Sequence, residues 1–167
     1  MKSLLKYILP LAFLMLFVWA CNPANQVAAT DSAAIKKAIE EGAWKFNVTL
    51  VSPQSGSSQQ PNGIYYVSLK HDSLNVYLPY FGRAFAGANV LSGENVLDFI
   101  TQNYDKVITP SGAHKWEITF STKEQRELPV LQFYIFDNGN ASLNVRMNNR
   151  SPISYSGYIT AFVAPKK

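Results

Sequence analysis

The sequence predicts an all-β, mostly antiparallel single domain of eight or nine short strands, preceded by one short helix. Three observations predict it. Apolar residues recur at every second position from Trp44 onward, the period of a half-buried strand. Turn residues break that alternation at short intervals, as in His71-Asp72-Ser73, Pro110-Ser111-Gly112-Ala113 and Asp137-Asn138-Gly139-Asn140. Only the segment after Asp31 carries a helical period, with Ile35, Ala38 and Ile39 on one face. Because the connections read as simple hairpins, a barrel-like or strongly curved sheet is expected, with a two-sheet β-sandwich as the alternative.

The chain opens on a different kind of segment. Lys2 and Lys6 precede Tyr7 to Val18, which carries no charge and is too short for an ordinary membrane span. It ends on Val18-Trp19-Ala20-Cys21, the pattern of a bacterial lipoprotein signal, in which the cysteine becomes the first mature residue and carries palmitate-type acyl chains. Cys21 is the single cysteine of the chain. The expected division is therefore a cleaved signal peptide over 1–20, a lipidated flexible tether over 21–30 and one β-rich domain over 31–167. Two or three acyl chains on one residue anchor stably where one would not, at about 0.8 kcal/mol per buried methylene. With no second cysteine the mature chain forms no internal disulfide, and packing alone must hold it in an oxidising compartment.

The remaining elements follow in order. Asp31 or Ser32 caps the helix and Gly42 ends it. Trp44, Phe46, Val48 and Leu50 alternate with polar residues in the first strand, and a polar loop (SPQSGSSQQPNG) follows it. Tyr65, Val67 and Leu69 form a second strand, joined through His71-Asp72-Ser73 to Leu74, Val76 and Leu78. Further strands are expected around Leu97 and Phe99, over Tyr104 to Thr109, His114 to Ser121, Leu131 to Ile135 and Ala141 to Met147. Asn148 to Pro152 then turns the chain into a last strand from Ile153 to Phe162.

Charge and motif content exclude several functions. Fifteen basic and eleven acidic residues give a net charge of +4, and loss of Lys2 and Lys6 with the signal lowers it to +2. No dense basic run exists, so a nucleic-acid partner is not expected. There is no His-x-His, His-Glu-x-x-His or Cys-x-x-Cys spacing for a metal, no Gly-x-Ser-x-Gly elbow and no glycine-rich phosphate loop. His71 and His114 fall in or beside turns and read as solvated residues. No catalytic residue, metal or cofactor is therefore expected.

One stretch departs from either period. "YLPYFGRAF", Tyr77 to Phe85, holds four aromatic rings, Pro79, Gly82 and Arg83. Its first reading is a corner plug, with Phe81 and Phe85 buried at one end of the sheet and Arg83 bonding loop carbonyls. Its second is a ligand rim of Tyr77, Tyr80, Arg83 and, from the last turn, Arg150, suited to stacking on a sugar, peptide or lipid headgroup.

"LPYFGRAF" at 78–85 together with "NNRSPISYSGYI" at 148–159 resembles an uncharacterised family of Gram-negative bacterial lipoproteins, the domain of unknown function numbered 4251. "KFNVTLVSPQ" at 45–54 and "KWEITFS" at 115–121 are similar in placement, and 86–95 is more polar than the family pattern. The resemblance implies a secreted lipoprotein domain and brings no activity, cofactor or catalytic residue. In such bacteria Asp-Ser-apolar triplets serve as O-glycosylation acceptors, which makes Ser32 and Ser73 candidates. The residues after Cys21 lack the acidic run that sends some lipoproteins outward. An outer-membrane anchor facing the periplasm is expected, with the cell surface or the inner membrane as alternatives. Together these readings point to a non-enzymatic, lipid-anchored binding or accessory module whose partner is a protein, a glycan or a small apolar ligand. A lipocalin-like carrier of a small apolar ligand is the alternative, and a hydrolase comes last.

The anchor is directly testable. Cys21→Ser should move the protein from the membrane to the soluble fraction and abolish cleavage before residue 21. A variant that stays membrane-bound and is still processed there would refute the lipid anchor.

Overall fold

The computed structural model describes residues 32–85, 95–112 and 114–162. The signal segment, Cys21, the tether and the cap residue Asp31 lie outside the described residues, as does most of the atypical 86–95 stretch. Among the described residues no helix is long and apolar enough to cross a membrane.

Helix α1 (Ser32–Glu41) buries Ile35, Ala38 and Ile39 and packs on the final strand. It ends in a Schellman motif: the Gly42 N–H donates to the Ile39 carbonyl at 3.2 Å and the Ala43 N–H to the Ala38 carbonyl at 2.9 Å. Lys36–Glu40 and Lys37–Glu41 pair on the solvent face, where they add a few tenths of a kcal/mol at most.

Nine antiparallel strands follow: β1 (Trp44–Pro53), β2 (Tyr66–Lys70), β3 (Ser73–Tyr77), β4 (Asp98–Thr101), β5 (Tyr104–Pro110), β6 (Lys115–Thr122), β7 (Val130–Phe136), β8 (Asn140–Met147) and β9 (Arg150–Ala161). They form one sheet in the order β4-β3-β2-β1-β9-β8-β7-β6-β5, rolled into a nearly closed barrel. The barrel expectation holds, and a single sheet displaces the sandwich. Two meanders meet where β1 pairs with β9, so the first and last strands lie side by side at the middle of the sheet. The seam lies between β4 and β5, which are consecutive in the chain yet stand at opposite edges. The Tyr104 hydroxyl reaches across it to the Asp72 carbonyl at 3.0 Å.

Alternation fails in one strand. Register shifts between Val48 and Leu50 where β1 faces β9, so Val51, not Leu50, becomes the fully buried residue. A bulge adds one residue to one strand of a pair, and every side chain beyond it changes face. The β2–β3 connection is also tighter than expected. Lys70 pairs with Ser73, and His71 and Asp72 (φ 49° and 60°) alone make the two-residue turn with the positive φ values of a type I′ hairpin. The β8–β9 connection is likewise two residues, Asn148-Asn149, and Arg150-Ser151-Pro152 already belong to β9.

Inward side chains fill the barrel. Trp44 meets Phe133 in a T-shaped contact at 5.2 Å, and Phe133 also meets Phe46 at 5.6 Å and Phe120 at 6.0 Å. Trp44, Phe46, Phe120, Phe133 and Tyr155 are all 0% exposed. Each such aromatic pair adds about 0.5–1.5 kcal/mol beyond area burial.

The β7–β8 loop supplies a test of register. The Gly139 N–H closes a turn onto the Phe136 carbonyl at 2.9 Å, with Gly139 at φ 83°. Gly139→Val forces a branched side chain into that left-handed backbone and should cost about 1 kcal/mol or more. Chemical denaturation measures it, and an unchanged midpoint would refute the tight turn.

Candidate functional site

The stretch from Leu78 to Phe85 leaves the end of β3 and crosses to the start of β9, passing two intervening strands of the sheet. Leu78 and Pro79 are buried beneath the crossing. The Tyr155 hydroxyl, itself in the interior, donates to the Pro79 carbonyl at 2.7 Å. Proline suits this position because it has no N–H to leave unpaired while its carbonyl accepts. Burial, and after it the neighbouring Tyr80, push the Tyr155 phenol far above its ordinary range.

Beyond Pro79 the crossing is tied to Ser151. The Tyr80 hydroxyl lies 2.9 Å from the Ser151 carbonyl, 3.1 Å from the Arg83 carbonyl and 3.2 Å from Ser151 Oγ. The Arg83 N–H donates to Ser151 Oγ at 2.8 Å, and the Ser151 N–H donates to the Arg83 carbonyl at 2.9 Å. Ala84 then bridges to Arg150, and the Phe85 N–H donates to the Asn149 carbonyl at 2.8 Å. Gly82 is required for room and not for backbone freedom. Its φ is not positive, but a Cβ there would strike the Tyr80 ring and hydroxyl and the Ser151 hydroxyl.

The plug expectation is thus corrected in its residues. Leu78, Pro79 and Tyr80 anchor the crossing, whereas Phe81 and Phe85 are 48% and 53% exposed. Both rings follow Tyr80, whose hydroxyl takes the hydrogen bonds that hold the corner. Arg83 contributes its backbone to the knot and its residue is exposed.

An open cleft of about 380 Å³ lies beside this crossing. One wall is aromatic: Tyr65 and Tyr77 lie 5.3 Å apart at 30°, with Tyr80 and Phe81 next to them. Asn95, Val96 and Asp98 also line the cleft, and Asp98 lies beside Tyr77 as its cross-strand partner. Arg150 completes the lining, its guanidinium 5.2 Å above the Tyr80 ring and its Nε donating to Glu127 Oε2 at 2.7 Å. The Arg150 and Glu127 side chains are 11% and 5% exposed, so this is a buried ion pair, and Glu127 Oε1 has no partner among the described residues. Glu127 and Leu128 hold the left-handed backbone at φ 61° and 44°, a strain of about 1–3 kcal/mol for each such residue.

Of the expected rim, Tyr77, Tyr80 and Arg150 come together in one cleft, and Arg83 does not line it. Tyr65, Asp98 and Glu127 were not anticipated. Tyr65 had no signal, since it shares the parity of the inward residues Val67 and Leu69 and reaches the cleft only because it precedes the start of β2. Glu127 had none, because its pairing depends on two left-handed residues. Of the glycosylation candidates, Ser32 is exposed at the first turn of α1, and Ser73 is half-buried at the start of β3. His71 and His114 are exposed, and His114 Nδ1 pairs with Asp137. The described residues hold no group of three or more His, Cys, Asp or Glu placed to bind a metal.

Fold and cleft together define a small, nearly closed β-barrel with a filled interior and an aromatic cleft at its seam. The chain belongs to the family described as Domain of unknown function (DUF4251), whose profile matches residues 26–159. It is similar in structure to a DUF4251 family protein from Bacteroides eggerthii DSM 20697, known from its crystal structure. That likeness has a TM-score of 0.52 at 15% identity and covers 80% of this chain and 89% of that one, which establishes the fold alone. No curated protein matches the sequence.

Two measurements test the crossing. Gly82→Ala should expel the Tyr80 hydroxyl from its knot and destabilise the fold by about 1–3 kcal/mol, whereas Phe81→Ala and Phe85→Ala should each cost under about 1 kcal/mol. Urea melts compare them, and a strongly destabilised Phe81→Ala would restore the plug assignment. The Tyr155 phenol, raised in the folded state, contributes stability in full below its unfolded pKa of about 10. Above that pH the unfolded chain releases a proton that the folded one keeps, so stability falls toward the folded pKa. Tyr155→Phe should be less stable than the wild type at neutral pH yet lose stability less steeply above pH 10. Equal alkaline slopes in melts of the two proteins would contradict the buried phenol.

Proposed function

We propose that this protein is a lipid-anchored, non-catalytic binding or accessory module of the bacterial cell envelope. In this reading Cys21 carries the acyl chains at the outer membrane and faces the periplasm, and residues 22–30 tether the barrel. The observation that carries it is the cleft at the seam. Four aromatic rings and an arginine converge there on a crossing tied by hydrogen bonds to Ser151 and Tyr155 of β9. Such preorganisation lowers the entropic cost of binding.

A carrier of a small apolar ligand is the weaker reading, because it needs space at the barrel positions where Trp44, Phe46, Phe120 and Phe133 are in mutual contact. Hydrolysis would call for a nucleophile and base, or two carboxylates, across an open site. Among the described residues the cleft instead presents one open carboxylate, Asp98, with Arg150 already committed to Glu127.

Amide NMR spectra recorded with desalted fractions of a periplasmic extract test this reading. Shifts should cluster on residues of the seam cleft, and the bound molecule should be recovered chemically unchanged. Absence of cleft shifts, or conversion of the bound molecule to a product, would overturn it.

A further inference from the structure

The charges and surfaces of the seam cleft narrow the class of ligand. Among the described residues Arg150 is the one cation lining the aromatic cleft, and its charge is met by Glu127 at 2.7 Å. Asp98, the cross-strand neighbour of Tyr77, is exposed, and the described residues offer its carboxylate no hydrogen bond or ion pair. The described lining of this cleft therefore carries no spare positive charge and one open carboxylate. An anionic ligand such as a phosphate or uronate seated in the aromatic cleft would meet Asp98 without a free counter-charge among the described lining residues of that cleft, and like charges at contact distance disfavour binding.

The aromatic wall suits flat apolar faces. Tyr77 is 38% and Phe81 48% exposed, so their rings are already in water and available for stacking. The Tyr65 ring lies 5.3 Å from that of Tyr77, and Tyr66, the cross-strand partner of Tyr77, lies 6.0 Å from it. Asn95 is rigid beside them: its Nδ2 donates to the Leu78 carbonyl at 2.7 Å and its Oδ1 accepts from the Leu97 N–H at 3.2 Å. A pyranose presents C–H groups on one face and hydroxyl donors around its rim. Stacked tyrosines answer the first, and an open carboxylate answers the second.

The opening also continues along the seam. A smaller cleft of about 150 Å³ shares Asn95, Val96 and Asp98 with it and adds Gln125 and Arg126. Gln125 in turn joins that cleft to a third, of about 500 Å³, lined by polar side chains of Gln102, Asn103 and Glu124. Amide, carboxylate and, at Arg126, guanidinium groups succeed one another along this line, hydrogen-bonding partners for a chain of hydroxylated units.

From these observations we infer that the seam groove binds a linear, uncharged oligosaccharide, with one hexose ring stacked on Tyr77 and Phe81 and a hydroxyl of that ring donating to Asp98. This rests on the binding-module reading and specifies its ligand.

The test uses the mature chain with three defined probe sets in calorimetry, and amide NMR shifts to locate any complex. The sets are neutral hexose oligomers of four to six units (α- and β-linked glucans and mannans), uronic-acid oligomers of the same length, and uncharged and lysine-containing pentapeptides. At least one neutral oligomer should bind in the cleft and bind more tightly with chain length. Tyr77→Ala should weaken it by about tenfold or more, a loss of about 1.4 kcal/mol, and Asp98→Asn should weaken it less. Thermal melts confirm that both variants fold, as the exposure of both residues leads one to expect. Tighter binding of uronic-acid oligomers or peptides at the cleft would overturn the ligand class and leave the module reading standing. Neutral binding that survives Tyr77→Ala would overturn the stacking site. No cleft binding by any probe would overturn the glycan inference, and the extract experiment then decides separately whether the cleft binds anything.

Discussion

The crossing of Leu78 to Phe85 over the start of β9 is the constraint on which the rest of this structure depends. A barrel built from two meanders needs something to hold its halves in relation besides the β1–β9 ladder. The crossing does this by joining β3, from the first meander, to the β8–β9 corner of the second. Ser151 is the centre of that junction. Its N–H, Oγ and carbonyl are all engaged by Tyr80 and Arg83, and it is 8% exposed. Buried polar groups satisfied in this way rigidify a structure, whereas the same groups half-satisfied would weaken it. Gly82 is what lets Tyr80 fold back beneath its own loop.

The cleft inherits its geometry from that junction. Tyr80 is at once a strut of the crossing and the face on which the Arg150 guanidinium rests. Arg150 in turn is held by Glu127, from the β6–β7 connection, so three distant segments meet at one wall. A buried arginine–carboxylate pair adds little net stability against an apolar core of equal size, yet removing one partner costs about 3–5 kcal/mol. The pair thus fixes position more than it stabilises. The strained backbone at Glu127 and Leu128 fits the same account, since it is retained where the carboxylate must be aimed inward.

The open seam follows from topology. β4 and β5 are joined by two residues, yet each pairs only on its other side, so closure there is left to side chains such as Tyr104. Elsewhere ladders consume the backbone polar groups. Along the seam they leave a groove, which is why the clefts described here adjoin β4 and the 123–129 connection. A filled interior and a grooved seam divide the work: aromatic packing holds the barrel, and its incomplete closure offers the surface.

What was legible in the sequence was local. Period-two alternation in Phe46, Val67, Leu74, Leu131, Phe133 and Leu143 placed the inward residues correctly, because strand side chains must alternate and only one face is buried. The turn segments His71-Asp72-Ser73 and Asn148 to Pro152 marked the hairpins, each longer than the two-residue turn that forms, and Gly42 marked the end of the helix. The bulge after Val48 was not legible, since it depends on the facing strand and leaves no local signature. The pairing of Tyr77 and Tyr80 with Arg150 was anticipated from residue type, but not the loss of Arg83 from the cleft or the gain of Tyr65 and Asp98. Phe81 and Phe85 show the limit most clearly. Ring size favours burial, and the sequence by itself assigned them to the core. Only the tertiary structure decided otherwise, because burial at a crossing goes to the residues whose polar atoms find partners there, and those partners lie on a strand some seventy residues away.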